Sequence, residues 1–174
     1  MSAVISEISA MTEFSVEEKS AIAAFLFEEC RLADESKYEQ WENLLADDML
    51  YWVPGGVPDP DPDTTLSVIA DHRGRLHNRI AQLMTGRRLA QQPVSPMRRM
   101  LSNIELTRLS DTETRACCNF VLHEYRLQST QKIQIWAGRY EYRLRRNTEG
   151  LRMFYKRVDL INAMGPLPSL AFLI

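Results

Sequence analysis

The sequence has 174 residues, of which 45% are hydrophobic and 25% are charged, as in an ordinary globular domain. Its 21 basic and 23 acidic side chains give a net charge of −2, so it lacks the basic excess typical of nucleic-acid-binding proteins. It contains no apolar run close to the about 20 residues of a membrane helix, and its three cysteines predict reduced thiols in the cytoplasm.

The first helix is predicted to begin at Ser15, because Glu18 stands three positions later and the two residues form a capping box. Apolar residues then recur at helical spacing and give one buried stripe, namely Ile22, Phe25, Leu26, Cys30 and Ala33. Residues 1–14 are expected to form a flexible N-terminal arm, and residues 15–174 a single domain.

A second, shorter helix is predicted after Ser36, which forms another capping box with Glu39. We expect Asp47 and Asp48 to form the polar turn that follows this helix, because aspartate is common in turns. An aromatic strand from Leu50 to Pro54 comes next, and it ends at a loop rich in Pro and Asp over residues 55–64.

A short strand is predicted over residues 66–70, followed by a third helix that Asp71 caps and Gly86 ends. Residues 87–97 form a connection that contains prolines. From Arg98 onward the sequence holds four long strand-like runs separated by the short turn sequences SDTE, ST and NTEG. Short connections predict an antiparallel meander, and helices followed by strands predict an α+β fold with the helices on one face of a curved sheet.

The histidines His72, His77 and His123 form no recognisable metal motif. No cysteine stands two residues from a histidine, as a Rieske cluster requires. His72 and His77 diverge by about 140° around a helix, so they are poorly placed to share an iron ion with Asp71. His123 would be a candidate base only if it faced the inside of the sheet. The residues alone therefore indicate a packed α+β core without a convincing reaction centre.

Several sequence blocks, in order, resemble the small (beta) subunit of Rieske-type aromatic-ring-hydroxylating dioxygenases. The first block is EECRLADESKYEQWENLLADDMLYWVP, with its aromatic-Glu-x-Trp, Asp-Asp and Tyr-Trp-x-Pro elements. Later blocks are a helix with Arg that ends Leu-x-Thr-Gly, a Pro-x-Ser…Arg…Ser-Asn segment, and Gly-Arg…Leu-Arg-Arg. The resemblance implies structural or interface roles for Trp41, Asp48, Tyr51, Trp52, Pro54, Arg79, Arg98, Ser102, Asn103, Arg139, Arg145 and Arg157.

The resemblance also implies a cone-shaped fold similar to nuclear transport factor 2, called NTF2-like or cystatin-like, with a curved antiparallel sheet packed by helices. It implies a structural subunit in an α3β3 hexamer, without catalytic residues, metal or cofactor of its own. The large (alpha) subunit would carry the Rieske [2Fe–2S] cluster and the mononuclear Fe(II). Electrons would come from NADH through a reductase and in some systems a ferredoxin, and the product would be a dihydroxylated aromatic ring.

Two other functions are compatible with the same fold. One is a stand-alone pocket enzyme of the dehydratase or isomerase type, in which His123, His72 or an Asp would work inside the cone. The other is a small-ligand or protein-binding module. A histidine or aspartate in a deep, accessible cavity would favour the enzyme, whereas a cavity closed by Phe, Tyr, Met and Leu would favour the subunit.

Overall fold

The computed structural model describes residues 13–86 and 92–174. Its helices are α1 (Val16–Asp34), α2 (Tyr38–Glu42) and α3 (Arg73–Met84). Its strands are β1 (Leu45–Pro54), β2 (Ser67–His72), β3 (Met97–Arg108), β4 (Glu113–Tyr125), β5 (Ile133–Asn147) and β6 (Gly150–Leu160). Residues 1–12 of the expected arm and residues 87–91 of the expected connection lie outside the described residues. Phe14, at the end of that arm, is buried beneath the guanidinium of Arg108.

Helix α1 begins where the sequence predicts. The Ser15 hydroxyl accepts from the Glu18 N–H at 3.1 Å, and the Ser15 N–H donates to the Glu18 carboxylate at 2.9 Å. The predicted stripe lies against the sheet, with Ile22, Leu26, Cys30 and Ala33 buried and Phe25 packed beside them.

The sheet has the strand order β2-β1-β6-β5-β4-β3, and its last four strands form the predicted antiparallel meander. β1 lies between β2 and β6 and runs parallel to β6, so the sheet is mixed, whereas the sequence predicted antiparallel strands throughout. A parallel neighbour is possible here because a long stretch of chain separates the two strands. The α+β fold class is confirmed.

Three local predictions are wrong. Asp47 and Asp48 lie within β1, because buried Leu45 and Met49 on either side already belong to the strand and the turn comes earlier, at residues 43–44. Ser36 does not cap α2, whose N-cap is Lys37 without a side-chain hydrogen bond. Asp71 does not cap α3 either, because its carboxylate accepts from Arg79 at 2.5 Å.

The inner face of the sheet, together with α1 and α2, encloses a space that we call the cone interior. Buried side chains from every strand and from these helices fill it, and residues 172–174 add to the same core. Gly138 allows β5 and β6 to approach closely at this face, because a Cβ there would lie 2.0 Å from the carbonyl oxygen of Asp159.

Candidate functional site

A buried ion pair lies at the centre of the cone interior. Glu29 on α1 and Lys156 on β6 have fully buried side chains, and Glu29 Oε1 lies 2.8 Å from Lys156 Nζ. The pair therefore joins the first helix to the last strand of the sheet.

Aromatic donors complete the surroundings of Glu29. Trp41 Nε1 donates to Glu29 Oε1 at 2.7 Å, and the Tyr142 hydroxyl donates to Oε2 at 3.1 Å. The Lys156 ammonium lies 4.5 Å from the ring centroid of Tyr140, so its charge also faces an aromatic π-system. Both charges thus have the close partners that burial demands.

The electrostatics keep Glu29 ionised. Burial by itself raises the pKa of a carboxyl group, but the positive charges of Lys156 and Arg99 and the hydrogen bonds from Lys156 and Trp41 outweigh it. The net result is a pKa of Glu29 below its ordinary value. A carboxylate held this firmly is a poor proton acceptor near neutral pH, where a general base should titrate.

A second buried ion pair lies beside the first. The Arg99 side chain is fully buried, and its Nε donates to Asp34 Oδ1 at 2.7 Å, while the Arg99 backbone N–H donates to Oδ2 at 2.8 Å. Burial opposes the positive charge of Arg99, but its surroundings, Asp34 and Glu29 among them, raise its pKa well above the ordinary value. The guanidinium is therefore a fixed cation inside the protein.

Residues 172–174 occupy the remaining space. The Phe172 ring meets Trp136 edge-on, with 5.8 Å between ring centroids. Arg99 Nη2 donates to the Leu173 carbonyl at 2.9 Å. The Tyr51 hydroxyl donates to the Ile174 carbonyl at 2.7 Å and accepts from the Ile174 N–H at 2.9 Å. Rings and this chain segment thus close the cone interior.

Two polar atoms in this region lack partners. Among the described residues, neither Arg99 Nη1 nor the Tyr140 hydroxyl has a hydrogen-bond partner, although both atoms are buried. Burial raises the pKa of Tyr140 well above its ordinary value, so the hydroxyl stays protonated and can donate.

The histidines lie away from the cone interior. His123 stands on the outer face of β4, opposite Arg98 and Ile135 in the neighbouring strands. His72 is exposed at the end of β2, and His77 Nδ1 on α3 lies 2.9 Å from Glu42 at the surface. The condition on which His123 became a candidate base is therefore not met.

The part of the chain that the structure describes brings together no group of three His, Cys, Asp or Glu side chains able to hold a metal ion. Within the same residues, no helix has both the length and the apolarity to cross a membrane.

The aromatic residues singled out by the resemblance divide between two faces of β1. Trp41 and Tyr51 face the cone interior, where their rings meet edge-on at 6.3 Å. Trp52 lies on the opposite face, where the Arg157 guanidinium stands 4.6 Å above the centroid of the Trp52 ring. Trp52 Nε1 donates to the Ser67 hydroxyl at 2.8 Å. Pro54 is buried at the end of the strand.

Three of the predicted arginines lie on the outer face of the sheet. Arg139 donates to Glu105 at 2.6 Å, and Arg157 donates to Asp159 at 2.8 Å. Arg145 donates to Asp48 from both Nη atoms, at 3.1 and 2.9 Å, and to Glu113 from Nε at 2.9 Å. These partly exposed pairs form an outer arginine face, which we define as Arg139, Arg145 and Arg157 with their carboxylate partners.

The remaining predicted residues have local roles. Arg79 pairs with Asp71, and Arg98 donates to the carbonyl of Met97 at 2.6 Å. Ser102 and Asn103 lie at an irregularity in the β3–β4 pairing, where Asn103 has a φ of 52°. Asparagine tolerates this left-handed conformation better than most residues, which explains the residue type at the bulge.

Sequence reasoning missed both buried ion pairs. Glu29 interrupts the apolar stripe of α1, and Lys156 stands at an inward position of β6, opposite Tyr142. In each case, a charged residue at a position that the apolar pattern assigns to the buried face could have indicated a buried ion pair. No periodic pattern in the sequence predicts the contact of residues 172–174 with Arg99.

The folded chain belongs to a known class of architecture. It is similar to an NTF2-like protein with a cystatin-like fold from Novosphingobium aromaticivorans, at a TM-score of 0.56 and 14% identity over 93% of this chain and 90% of the other. Residues 28–165 match the family model described as the ring hydroxylating beta subunit. The chain therefore belongs to the family of ring-hydroxylating beta subunits.

Individual relatives agree with this assignment. The chain is 30% identical to the small oxygenase component of the p-cumate 2,3-dioxygenase system of Pseudomonas putida, over 85% of this chain and 82% of the relative. Its fold is similar to that of the beta subunit of benzoate 1,2-dioxygenase from Burkholderia mallei, with a TM-score of 0.72 and 22% identity. That alignment covers 91% of this chain and 97% of the other.

Proposed function

We propose that this chain is the structural, non-catalytic beta subunit of an aromatic-ring-hydroxylating dioxygenase. Its partner is a large alpha subunit that carries a Rieske [2Fe–2S] cluster and a mononuclear Fe(II), in an α3β3 hexamer in the cytoplasm. Electrons from NADH reach the alpha subunit through a reductase, with or without a ferredoxin. Family membership supports the oxygenase role, and the interior of the cone supports the non-catalytic one.

The observation that carries the non-catalytic role is the bonding of Glu29. Its carboxylate accepts from Lys156, Trp41 and Tyr142. Burial raises its pKa, but Lys156, Arg99 and the Trp41 hydrogen bond outweigh burial and lower the pKa. Asp34 is likewise held by Arg99, and buried Glu124 accepts from Trp136 at 3.1 Å and from Ser95 at 3.0 Å. The acids of the cone interior are therefore structural, and the described histidines lie outside it, whereas a stand-alone dehydratase or isomerase needs an accessible base.

We further propose that the outer arginine face contributes to the contact with the alpha subunit. Its guanidinium groups sit on rigid strands, and arginine is enriched at protein interfaces because it combines a planar surface with several donors. The test is co-purification of the tagged chain with its alpha subunit, followed by native mass and iron analysis of the complex. Wild-type protein is expected to give a complex with equal numbers of both chains and iron.

Charge reversal of single arginines tests whether the outer arginine face contacts the alpha subunit. Arg145→Glu is expected to reduce the recovered alpha subunit at least tenfold. Arg31→Glu is the matched control, because Arg31 also pairs with two carboxylates but lies on α1. Equal recovery for both variants would contradict the interface assignment.

The non-catalytic role has its own test. Replacement of His72, His77 and His123 by alanine is expected to leave turnover per iron within about twofold of wild type in the assembled complex. A loss of turnover with intact assembly would revive the pocket-enzyme interpretation.

A further inference from the structure

Residues 172–174 occupy a site lined by Trp136, Arg99 and Tyr51, which we call the seat. The seat contacts these residues through directional interactions. Trp136 contacts an aromatic ring, Arg99 binds a carbonyl oxygen, and Tyr51 binds both polar backbone atoms of Ile174. Buried backbone groups need hydrogen-bond partners, and for the Leu173 carbonyl and for Ile174 these partners are side chains. The seat therefore has the features of a recognition site that a segment of the same chain occupies.

Arg99 determines which ligand chemistry the seat favours. Its Nε is committed to Asp34, while Nη2 binds the neutral Leu173 carbonyl and Nη1 has no partner among the described residues. The two Nη atoms form a planar fork, which matches the two oxygens of a carboxylate better than a single carbonyl oxygen. The Tyr140 hydroxyl adds a second buried donor without a partner in the described chain.

The charges around the seat allow an anion to enter. Asp34 and Glu29 are each bonded to a cation of their own, Arg99 and Lys156 respectively. The third buried acid beside the seat is Glu124, whose carboxylate accepts from Trp136 Nε1 at 3.1 Å and from the Ser95 hydroxyl at 3.0 Å. A surface groove of about 220 Å³ between α1 and β3 is lined by Cys30, Asp34 and Arg99 among others. Because the Arg99 side chain is fully buried, its backbone borders the groove while its guanidinium faces the seat.

We propose that the seat of residues 172–174 is a binding site for a small aromatic carboxylate, which takes the places of the Phe172 ring and the Leu173 carbonyl. The ligand ring packs against Trp136, and its carboxylate binds both Nη atoms of Arg99. Residues 172–174 are then a displaceable intramolecular competitor. The apparent affinity of the wild-type chain for the ligand is the affinity of the open seat multiplied by the fraction of molecules in which the seat is open.

Benzoate binding to the full-length chain tests this proposal by calorimetry and thermal unfolding. Phe172→Ala removes the competing ring, so we expect benzoate to bind at least tenfold more tightly than to wild type and to raise the Tm. Phe154→Ala is the matched control, because Phe154 lies beneath Arg145 and away from the seat. Benzoate should bind this control no better than wild type.

Toluene and benzyl alcohol test the carboxylate requirement. Stabilisation of Phe172→Ala by benzoate alone supports the proposal. Equal stabilisation by toluene would identify a simple apolar cavity and overturn it, as would a folded Phe172→Ala chain that does not bind benzoate.

A milder variant keeps the proposal testable if Phe172→Ala fails to fold. Tyr51→Phe retains every ring and removes the hydroxyl that holds Ile174 at both its N–H and its carbonyl. It should open the seat more often and tighten benzoate binding at least threefold. Tyr155→Phe is its control, because Tyr155 packs beneath Arg143 on another face. Equal affinities of the two variants would overturn the proposal.

Discussion

Glu29 Oε1 lies 2.8 Å from Lys156 Nζ, although the residues are 127 positions apart and both side chains are fully buried. This contact ties α1 to the strand at the middle of the sheet. Removing one partner from such a pair leaves an uncompensated charge in the protein interior, which is more harmful than replacing both partners with apolar residues.

Breaking the pair from one side is the first prediction. Glu29→Ala and Lys156→Ala should each lower the free energy of unfolding by about 3–5 kcal/mol. The double change Glu29→Met with Lys156→Met should cost clearly less than the sum of the two single changes, because no charge remains buried. Urea unfolding of the chain measures all three values.

The exposed pair between Arg139 and Glu105 provides the control. Glu105 is 64% exposed in its side chain, so Glu105→Ala should cost at most about 1 kcal/mol. If Glu29→Ala cost no more than this control, the buried pair would contribute little to stability.

The second prediction concerns pH. The folded-state pKa of Glu29 lies below its ordinary value because Lys156 and Arg99 outweigh the effect of burial. A lowered carboxyl pKa stabilises the folded state above the unfolded pKa of about 4.3, and this contribution is lost as the pH falls through the folded pKa. Stability should therefore decline below about pH 5 in wild type and more shallowly in Glu29→Gln.

Urea unfolding of both proteins at several values between pH 7 and pH 3 measures the difference. Parallel declines would mean that other carboxylates carry the acid sensitivity.

The sequence predicted the elements that depend on local patterns. The capping box at Ser15 and Glu18 and the four strands of the meander follow from short-range chemistry and periodicity, and the structure contains them. The parallel pairing of β1 with β6 was missed, because it depends on partners distant in the sequence. Asp48 was misplaced for a related reason, since its partner Arg145 comes from β5.

The candidate site was less predictable than the fold. The resemblance implied a structural or interface role for Trp41, but its hydrogen bond to Glu29 requires the tertiary structure. Arg98 and Arg99 are adjacent in the sequence, between Met97 and Met100, so residue type alone did not distinguish buried Arg99 from exposed Arg98. Residues 172–174 follow the last strand and reach the cone interior only through long-range contacts.

The third prediction separates two tryptophans. Trp41→Ala and Trp52→Ala should each cost about 3–5 kcal/mol, because both rings are almost fully buried. Trp41→Phe should keep most of the packing and lose the hydrogen bond to Glu29, at a cost of about 1–3 kcal/mol. Thermal and urea unfolding provide the values.

These tryptophan variants also bear on function. Assembly with the alpha subunit should fall before turnover per assembled iron does, because the rings support the fold. A variant that remained folded and assembled but lost turnover would contradict the structural role.

The fourth prediction uses two glycines with opposite surroundings. A Cβ on Gly138 would lie 2.0 Å from the Asp159 carbonyl oxygen and 3.0 Å from Phe120, and the β5–β6 pairing fixes that backbone. Gly138→Ala should therefore destabilise the protein by about 1–3 kcal/mol or more.

Gly74 in α3 provides the control. A Cβ on Gly74 would meet nothing within 4 Å, so Gly74→Ala should be neutral or stabilise by up to about 1 kcal/mol. The unfolding midpoint of Gly138→Ala should fall, whereas that of Gly74→Ala should rise or stay unchanged. A neutral Gly138→Ala would mean that β6 can move away without cost, and the close approach of β5 and β6 would then not be required for the cone.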